Sequence, residues 1–195
     1  QMSNQATFES LGLSKAALDS LSRARYTEPT PIQQKAIPPA LAGRDVVGCA
    51  ATGTGKTAAF VLPLVERLEG KTGTRALVLA PTRELAEQIA EHLVVFGRTR
   101  GVLGAVVIGG VGMGKQVQAL RDGNQVVIAT PGRLIDHLDQ GSARLSDIEC
   151  LVLDEADRML DMGFIPQLER ILARLPTKRQ TMLFSATMAG EVADF

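Results

Sequence analysis

A short apolar run leads directly into a glycine-rich turn in the stretch that decides the fold, Asp45-Val46-Val47-Gly48-Cys49-Ala50-Ala51-Thr52-Gly53-Thr54-Gly55-Lys56-Thr57. Residues of helical period follow, up to Leu68. Strand, glycine-rich loop and helix in this order are the context in which a Gly-Lys-Thr sequence forms a phosphate site. The glycines let backbone N–H groups point at phosphate oxygens, and the helix N-terminus adds partial positive charge. A glycine-containing surface turn is the alternative interpretation.

Two side chains at the end of this loop carry the predicted chemistry. Lys56 would place a positive charge on the β- and γ-phosphates of a nucleotide, and the Thr57 hydroxyl would coordinate Mg²⁺. Ala50 departs from the general pattern, which opens with glycine. A second glycine run, Gly109–Lys115, also follows an apolar strand, but Gln116 comes next and offers no hydroxyl for magnesium. We therefore expect a turn there, or backbone packed close to a ligand strand, rather than a second nucleotide site.

Short β-rich apolar runs alternate with longer stretches of helical period from residue 45 onward. Continuous apolar strands are typical of burial on both faces, so we predict an α/β fold with a mostly parallel central sheet flanked by helices. The predicted strands are Asp45–Cys49, Ala76–Ala80, Ala105–Ile108, Val126–Ala129, Cys150–Leu153 and Thr181–Phe184. The predicted helices are Ser14–Ala24, Pro31–Leu41, Lys56–Leu68, Arg83–Phe96, Lys115–Arg121, Gly132–Leu138 and Ile165–Leu175.

Composition and charge limit the classes of protein that fit. The 195 residues are 45% hydrophobic and 22% charged, which indicates one globular domain over residues 1–195. Basic and acidic residues number 21 each, so the chain lacks the basic footprint of many nucleic-acid-binding proteins. Any such contact would depend on a few placed arginines, backbone N–H groups and helix N-termini. No apolar run is long enough to span a membrane, and we expect no membrane association.

The chain start and the two cysteines bear on location. Gln1 precedes Met2, so we interpret Gln1 as an added residue, and the polar start lacks the layout of a signal peptide. Cys49 and Cys150 each lie in an apolar stretch, and we interpret both as reduced core thiols of a cytosolic protein. The expected location is therefore the cytoplasm.

An acidic motif, Asp154-Glu155-Ala156-Asp157, directly follows an apolar strand. Carboxylates at the carboxyl end of a buried parallel strand lie where ligands bind in open α/β sheets. Beside a Lys-Thr phosphate loop, Asp154 would hold Mg²⁺ directly or through water, and Glu155 would orient and deprotonate the attacking water. For the acidic quartet alone, a helix N-terminus is the alternative, because carboxylates are favoured there.

A third short motif, Ser185-Ala186-Thr187, follows the last predicted strand. Such a sequence is most often a helix cap, but at a strand end its hydroxyls could bond Asp157. The phosphate loop, the acidic quartet and this triplet, in this order, resemble the motifs of the DEAD-box RNA helicases. The resemblance runs from Phe8 to Thr187. The further stretches that agree are the isolated aromatic Phe8, the adenine-recognition motif Glu28–Gln33, and the RNA-contact motifs Pro81–Ala86, Gly109-Gly110 and Thr130–Arg133.

The resemblance implies a RecA-like three-layer sandwich and ATP as the nucleotide, bound with Mg²⁺. Gln33 would read the adenine edge with its amide, Tyr26 would stack on the base, and Phe8 would brace the segment. Without the family pattern, Gln33 would be taken as a solvated helix residue and Tyr26 as a core aromatic. The implied nucleotide contacts are Phe8, Tyr26, Gln33, Thr52, Gly53, Thr54, Gly55, Lys56 and Thr57; the implied catalytic residues are Lys56, Asp154 and Glu155, and the magnesium ligands Thr57 and Asp154.

The resemblance also implies binding to the sugar-phosphate backbone of a single RNA strand, without reading its sequence. Loop amides and helix starts suit such contacts. Solvated surface arginines are the alternative for Arg83 and Arg133. Asp157, Ser185 and Thr187 would couple hydrolysis to RNA binding. The implied RNA contacts are Pro81, Thr82, Arg83, Gly110, Thr130, Gly132 and Arg133.

The expected function is that of an ATP-dependent RNA helicase, in which RNA-stimulated ATP hydrolysis drives duplex unwinding or remodelling. An ATP-gated RNA clamp with little unwinding is the second hypothesis. A P-loop kinase or GTPase would give no role to Gln33 or to the RNA-contact motifs. The resemblance places arginine fingers in a second RecA-like domain, absent from this chain, so we expect the chain alone to bind nucleotide and hydrolyse very little.

Several residues depart from the family pattern or receive simpler interpretations. Ala51 stands where the family usually has Gln, which is expected to weaken nucleotide or interdomain contacts. Arg25 stands where Gly usually opens the adenine motif, which is expected to alter the turn before Tyr26. His92 and His137 are expected to be solvated, with no zinc site. The methionines expected in or near the core are Met159, Met162, Met182 and Met188.

Overall fold

Six short strands form a single parallel sheet in the computed structural model, which describes residues 5–188. The strands are β1 (Val46–Cys49), β2 (Ala76–Leu79), β3 (Gly104–Val107), β4 (Val126–Ala129), β5 (Cys150–Leu153) and β6 (Gln180–Ser185). Their spatial order is β1-β6-β5-β2-β4-β3, and each neighbouring pair is parallel. The predicted α/β sheet is therefore confirmed, and each strand lies within one residue of its predicted ends.

The helices alternate with the strands along the chain, as predicted. The helices are α1 (Lys15–Arg23), α2 (Pro31–Leu41), α3 (Lys56–Leu68), α4 (Arg83–Gly97), α5 (Met113–Arg121), α6 (Pro131–Asp139), α7 (Ala156–Asp161) and α8 (Ile165–Ala173). Short 3-10 turns lie at Glu9–Leu11 and Arg98–Arg100. The sequence does not predict α7, which spans six residues and is too short to show a helical period. Within residues 5–188, no helix is both long and apolar enough to cross a membrane.

The sheet separates two apolar clusters, because successive side chains of a strand point to opposite faces. Val78 and Val152 pack with residues of α1, α2, α3 and α4. Leu77 and Leu151 pack on the opposite face, with residues of α6, α7 and α8. Strands β2, β4 and β5 are buried along their whole length, which explains their continuous apolar sequences. The three-layer sandwich expected from the sequence is confirmed.

Local polar contacts fix the starts of the first two helices. The Ser14 hydroxyl accepts a hydrogen bond from the Ala17 amide at 3.2 Å and so caps α1. At α2, the Gln33 side chain accepts from the Thr30 amide at 2.9 Å, which is one half of a capping box, and Pro31 occupies the first turn. These two helices bring the N-terminal segment onto the face of the sheet that carries α3.

The two cysteines have different environments, and one prediction about them is wrong. Cys150 is fully buried, and burial raises the pKa of its thiol to about 12. Cys49 is exposed, because β1 is the edge strand and its alternate residues face outward. Val47, on the same side of β1, is 65% exposed. Met162 is also exposed, so its predicted core position is wrong, whereas Met159 and Met182 are buried as expected.

Candidate functional site

All the loops singled out by sequence lie at one edge of the sheet. Because the strands are parallel, their carboxyl ends meet there, at the edge where ligands bind in open α/β folds. The phosphate loop follows β1, the acidic quartet follows β5, and Ser185 ends β6 between them. The loops that follow β2, β3 and β4 share this edge.

The phosphate loop delivers Lys56 to the acidic quartet. Gly55 adopts a left-handed backbone with a φ of 81° immediately before α3, so Lys56 begins the helix. The Lys56 ammonium lies 2.8 Å from Asp154 Oδ1 and 3.7 Å from Glu155 Oε2. Lys56 is 4% exposed and Asp154 is fully buried. The loop and the acidic motif, distant in sequence, therefore converge on one point.

Burial and the Lys56 charge act on the ionisation of Asp154 in opposite directions. Burial raises the pKa of Asp154, and the nearby Lys56 ammonium opposes that rise. Within residues 5–188, neither carboxylate oxygen of Asp154 has a partner at hydrogen-bonding geometry: Oδ1 is paired with the Lys56 ammonium by charge, and Oδ2 is buried without even that contact. A carboxylate oxygen without a partner, with the Thr57 hydroxyl in the first turn of α3, fits the oxygen ligands that Mg²⁺ prefers. No group of three or more His, Cys, Asp or Glu side chains in the described region could hold a metal by itself.

Glu155 adopts an unusual backbone conformation beside this pair. Its φ of 53° and ψ of 52° lie in the left-handed region, which costs a non-glycine residue about 1–2 kcal/mol. Its carboxylate lies 3.7 Å from Lys56 and 3.9 Å from the Arg158 guanidinium. Such strained backbone is often found at functional sites. The conformation turns the chain from β5 into α7 and keeps the Glu155 side chain near the Lys56 ammonium.

The Ser185-Ala186-Thr187 segment contacts the acidic motif. The Asp157 amide donates to Ser185 Oγ at 3.2 Å, and the Thr187 hydroxyl donates to Asp157 Oδ2 at 3.3 Å. The Ser185 hydroxyl in turn donates to the Thr187 carbonyl at 2.5 Å. The hydroxyls of Ser185 and Thr187 are therefore both hydrogen-bonded to Asp157, one to its amide and one to its carboxylate, as the sequence predicts.

Gln33 is 1% exposed, so the interpretation as a solvated helix residue is wrong. Its amide oxygen accepts from the Thr30 amide at 2.9 Å, and its Nε2 donates to the Gly55 carbonyl at 3.0 Å. A Cβ atom at Gly55 would lie 2.5 Å from Gln33 Nε2, so glycine is required there for this contact as well as for its backbone angle. Gln33 thus joins α2 to the phosphate loop, and among residues 5–188 the second N–H of its amide has no hydrogen-bond partner.

The other predicted nucleotide residues differ in exposure. Phe8 is buried in the core under α2, and Tyr26 is half-buried with its ring edge-on to Phe96, the two ring centroids being 5.5 Å apart. In the phosphate loop, Thr52 and Gly53 are exposed, and the Thr54 hydroxyl donates to the Ala51 carbonyl at 2.6 Å. The loop mouth is therefore open to solvent.

The turn before Tyr26 keeps a glycine-like backbone although Arg25 replaces glycine. Arg25 has a φ of 64°. Its amide bonds the Ser22 carbonyl, and the Tyr26 amide bonds the Leu21 carbonyl, which is the Schellman pattern that ends many helices. The expectation of an altered turn is not met, since Arg25 adopts the left-handed position itself.

The candidate RNA-contact residues lie in three neighbouring loops. Thr82 caps α4 by accepting from the Leu85 amide at 3.2 Å. Thr130 occupies the N-cap position of α6, and its own amide bonds the Val107 carbonyl. Arg83 is exposed, and its guanidinium lies so close to Gly110 that an added Cβ there would clash with Nη1. Pro81 is buried, whereas Gly132 is exposed at the start of α6.

The second glycine run has the geometry of a turn. Gly110 has a φ of 78°, and α5 begins three residues later at Met113. Arg133 is partly buried, and its Nη1 donates to the Val111 carbonyl at 2.7 Å. Arg133 is therefore bound to this turn and is not the fully solvated arginine of the alternative interpretation.

Comparison with protein families now identifies the group to which these motifs belong. The model of the DEAD/DEAH box helicase family matches residues 30–195. The chain belongs to the DEAD/DEAH box helicase family. This membership covers the phosphate loop, the acidic quartet and the Ser-Ala-Thr segment alike.

Individual DEAD-box relatives agree with that assignment. The chain is 51% identical over 186 residues to "DEAD-box ATP-dependent RNA helicase CshA" of Streptococcus pneumoniae, covering 95% of the chain and 36% of that protein. It is 49% identical over 187 residues to the CshA helicase of Geobacillus kaustophilus, covering 95% of the chain and 40% of that protein. The chain thus spans well under half the length of these relatives.

A solved DEAD-box structure confirms the fold. The crystal structure of a DEAD box protein from the hyperthermophile Methanococcus jannaschii superposes with a TM-score of 0.92 at 38% sequence identity. The match covers 96% of this chain and 52% of that chain. The RecA-like sandwich expected from the sequence is therefore shown.

Two buried polar residues beside the DEAD-box loops are not predicted from the sequence. His137 is fully buried, so the expectation of a solvated side chain is wrong, and Gln116 is 2% exposed. The signal for His137 lies in its spacing, because it shares the apolar face of α6 with Leu134 and Leu138. His92 is half-buried, with Nδ1 2.9 Å from the Gln88 carbonyl.

Proposed function

We propose that this chain is the ATP-binding domain of an ATP-dependent RNA helicase that acts in the cytoplasm. The convergence of Lys56 and Asp154 at the carboxyl edge of the sheet carries the proposal, because a family member with this pair has the charge arrangement that binds and cleaves a nucleoside triphosphate. The names of the relatives, which include ATP-dependent RNA helicase, support the activity. A reduced, buried Cys150 is consistent with the cytoplasm.

On this proposal, ATP binds across the phosphate loop and the start of α3. Backbone N–H groups from Thr52 to Gly55 would surround the phosphates, and Lys56 would exchange Asp154 for the β- and γ-phosphates. The free N–H of Gln33 would face the adenine edge, while Tyr26 would offer a ring face to the base and Phe8 would brace the segment from the core. Gln33 would thereby link base recognition to the position of Gly55.

Thr57 and Asp154 would hold Mg²⁺ on the bound triphosphate, directly or through water. The ion would neutralise charge on the phosphate oxygens. With Lys56 on the phosphates, Asp154 would face the ion instead of the Lys56 ammonium. Glu155, held near Lys56 by its left-handed backbone, would orient the attacking water and accept its proton.

RNA would bind along the loops that follow β2, β3 and β4. Backbone amides and hydroxyls near Thr82, Gly110 and Thr130, with Gly132 close by, would contact phosphates and 2′-hydroxyls without reading bases. Pro81 is buried and would shape its loop, while the guanidinium groups of Arg83 and Arg133 would add positive charge. This arrangement would let a chain with no net charge bind RNA through a few placed groups.

Hydrolysis and RNA binding would be coupled through Asp157. Its amide and carboxylate bond Ser185 and Thr187, so movement of either segment alters contacts at the other. The chain alone would bind nucleotide and turn it over slowly, because the proposal assigns stabilisation of the transferring phosphate to a second RecA-like domain. An arginine finger from such a domain contributes on the order of a thousandfold or more in rate.

The decisive experiment measures ATP turnover by the complete protein, with and without single-stranded RNA. RNA should stimulate turnover, a 2′-deoxy strand should not, and Glu155→Gln should abolish it while leaving ADP affinity unchanged. Asp161→Asn, which changes an exposed carboxylate at the far end of the helix that Glu155 precedes, is the matched control and should turn over ATP normally. Wild-type turnover by Glu155→Gln would remove Glu155 from the mechanism. RNA-dependent ATP binding without strand separation would favour the clamp.

A further inference from the structure

A buried polar network lies beneath the glycine turn of residues 109–112, outside the phosphate loop and the acidic quartet. It joins Gln116 in α5 to His137 in α6, whose Nε2 lies 2.8 Å from Gln116 Oε1. His137 Nδ1 lies 2.7 Å from Ser142 Oγ, just beyond the end of α6. Burying polar groups is unfavourable unless each is hydrogen-bonded, and apolar side chains would fill this space without that requirement. Packing alone therefore does not explain why these buried positions carry polar side chains.

The hydrogen bonds fix the orientation of each group in the network. Gln116 Nε2 donates to the Ile108 carbonyl at 2.7 Å, so its Oε1 faces α6. That oxygen can only accept, and its donors are His137 Nε2 and Arg133 Nη1, the second at 3.3 Å. His137 must therefore carry a proton on Nε2. Burial and the neighbouring Arg133 charge both lower the pKa of His137, so the ring is neutral and its Nδ1 accepts from the Ser142 hydroxyl at 2.7 Å. The same hydroxyl lies at the longer distance of 3.2 Å from the His137 carbonyl.

The same network holds the glycine turn at two backbone carbonyls. Gln116 binds the carbonyl of Ile108, directly before the turn, and Arg133 binds the carbonyl of Val111 within it. Gly110, between them, lies against the Arg83 guanidinium. The turn is thus held by Gln116 and Arg133, and these two side chains also bond each other at Gln116 Oε1, the oxygen that His137 Nε2 binds.

We infer that Gln116 and His137 are positioning residues for RNA binding, since they hold Arg133 and the 109–112 turn in the conformation that receives the RNA backbone. The inference rests on the proposed RNA contacts at Gly110 and Arg133. Neither Gln116 nor His137 would touch RNA, because both are buried. Without the imidazole, Gln116 Oε1 would lose its hydrogen bond from His137 Nε2, and the amide could rotate. Arg133 would then lose its contact with Gln116 Oε1, and its hydrogen bond to the Val111 carbonyl would be weakened. RNA affinity would fall, whereas the nucleotide site, formed by other loops, would keep its affinity.

The test measures single-stranded RNA affinity and ADP affinity separately, in the complete protein. His137→Leu is expected to weaken RNA binding by about fivefold or more, with ADP affinity unchanged. His137→Gln can place an N–H donor toward Gln116 and is expected to restore most of the RNA affinity. Gln180→Leu is the matched control, because it removes a buried amide that donates to the Ala40 and Arg44 carbonyls at the opposite edge of the sheet. That variant should lose stability and keep RNA affinity.

Each outcome decides the inference. Wild-type RNA affinity in His137→Leu would overturn it, and so would an equal loss of affinity in Gln180→Leu, since general destabilisation would then explain both. If His137→Leu does not fold, Ser142→Ala replaces it: this variant frees only the Nδ1 side of the ring and should show a smaller, RNA-specific loss. Wild-type RNA affinity in Ser142→Ala would equally overturn the inference. Failure of the wild-type protein to bind RNA would instead contradict the proposed function.

Discussion

Replacing Lys56 by methionine is predicted to destabilise the fold by an amount that depends on pH. Lys56 is the cation that lies 2.8 Å from the fully buried Asp154. The Lys56→Met substitution keeps a long side chain in place and removes its charge, so that Asp154 is left as a buried carboxylate without a counter-charge. Breaking a buried ion pair by removing one partner costs about 3–5 kcal/mol of folding free energy.

Protonation of Asp154 sets an upper limit on that loss. Its ordinary pKa is 3.8, so binding a proton at pH 7 costs at most about 4.4 kcal/mol, at about 1.36 kcal/mol per pH unit. We therefore expect Lys56→Met to lose about 3–4 kcal/mol at pH 7. Burial already raises the pKa of Asp154, and removal of Lys56 raises it further. Below that further raised pKa, and down to the pKa of Asp154 in wild type, the folded variant binds a proton that folded wild type does not, so its deficit shrinks as pH falls.

Urea unfolding followed by circular dichroism at pH 5 and pH 7 measures this difference. The matched variants are Asp154→Asn and the double variant with Lys56→Met, which removes both charges and should recover to within about 1 kcal/mol of wild type. A deficit of the same size at both pH values would refute the reasoning. So would a double variant as unstable as Lys56→Met alone, because the loss would then come from packing and not from charge.

Three further predictions follow from backbone angles and exposure. Arg25→Gly should raise the free energy of unfolding by about 1 kcal/mol, since glycine adopts the left-handed turn without strain, whereas Arg25→Ala should change it little; both are read from urea unfolding. Gly55→Ala should weaken nucleotide binding measured with fluorescent ADP, because its Cβ would lie 2.5 Å from Gln33 Nε2; normal affinity would show that the loop can rearrange. Under native conditions a thiol reagent should modify Cys49 and spare Cys150, whose pKa is about 12, and labelling of both should require denaturant; mass spectrometry gives the count.

The elements of the fold could be predicted because their signals are local. Strand β5 reads as four consecutive apolar residues, and α3 reads as a helical period that starts at the glycine loop. The order of the strands in the sheet could not be predicted from the sequence, and this explains the wrong prediction for Cys49. Val47 and Cys49 are apolar and strand-like, but their strand is at the sheet edge, so they are exposed.

The candidate site also contains contacts that could be predicted from the sequence and contacts that could not. The spacing of Lys56 and the acidic quartet from their strands predicts that both reach the carboxyl edge, and the 2.8 Å contact agrees. The Gln33 contact with Gly55 is not predictable, because it depends on how α2 packs beside the loop. His137 shows a missed local signal: its charged neighbours suggest solvent, whereas its helical period places it on the buried face of α6.

The parallel topology has a practical consequence for engineering this protein. Every loop that leaves a strand opens on the carboxyl edge of the sheet, whereas every loop that enters one lies about a strand length away. Thr72, which precedes β2 on that far side, is exposed. The space around the neighbouring Gly73 is open, although its φ of 79° makes a substitution of Gly73 itself unfavourable. A fluorophore or affinity tag inserted there would lie away from the candidate functional site at the carboxyl edge of the sheet.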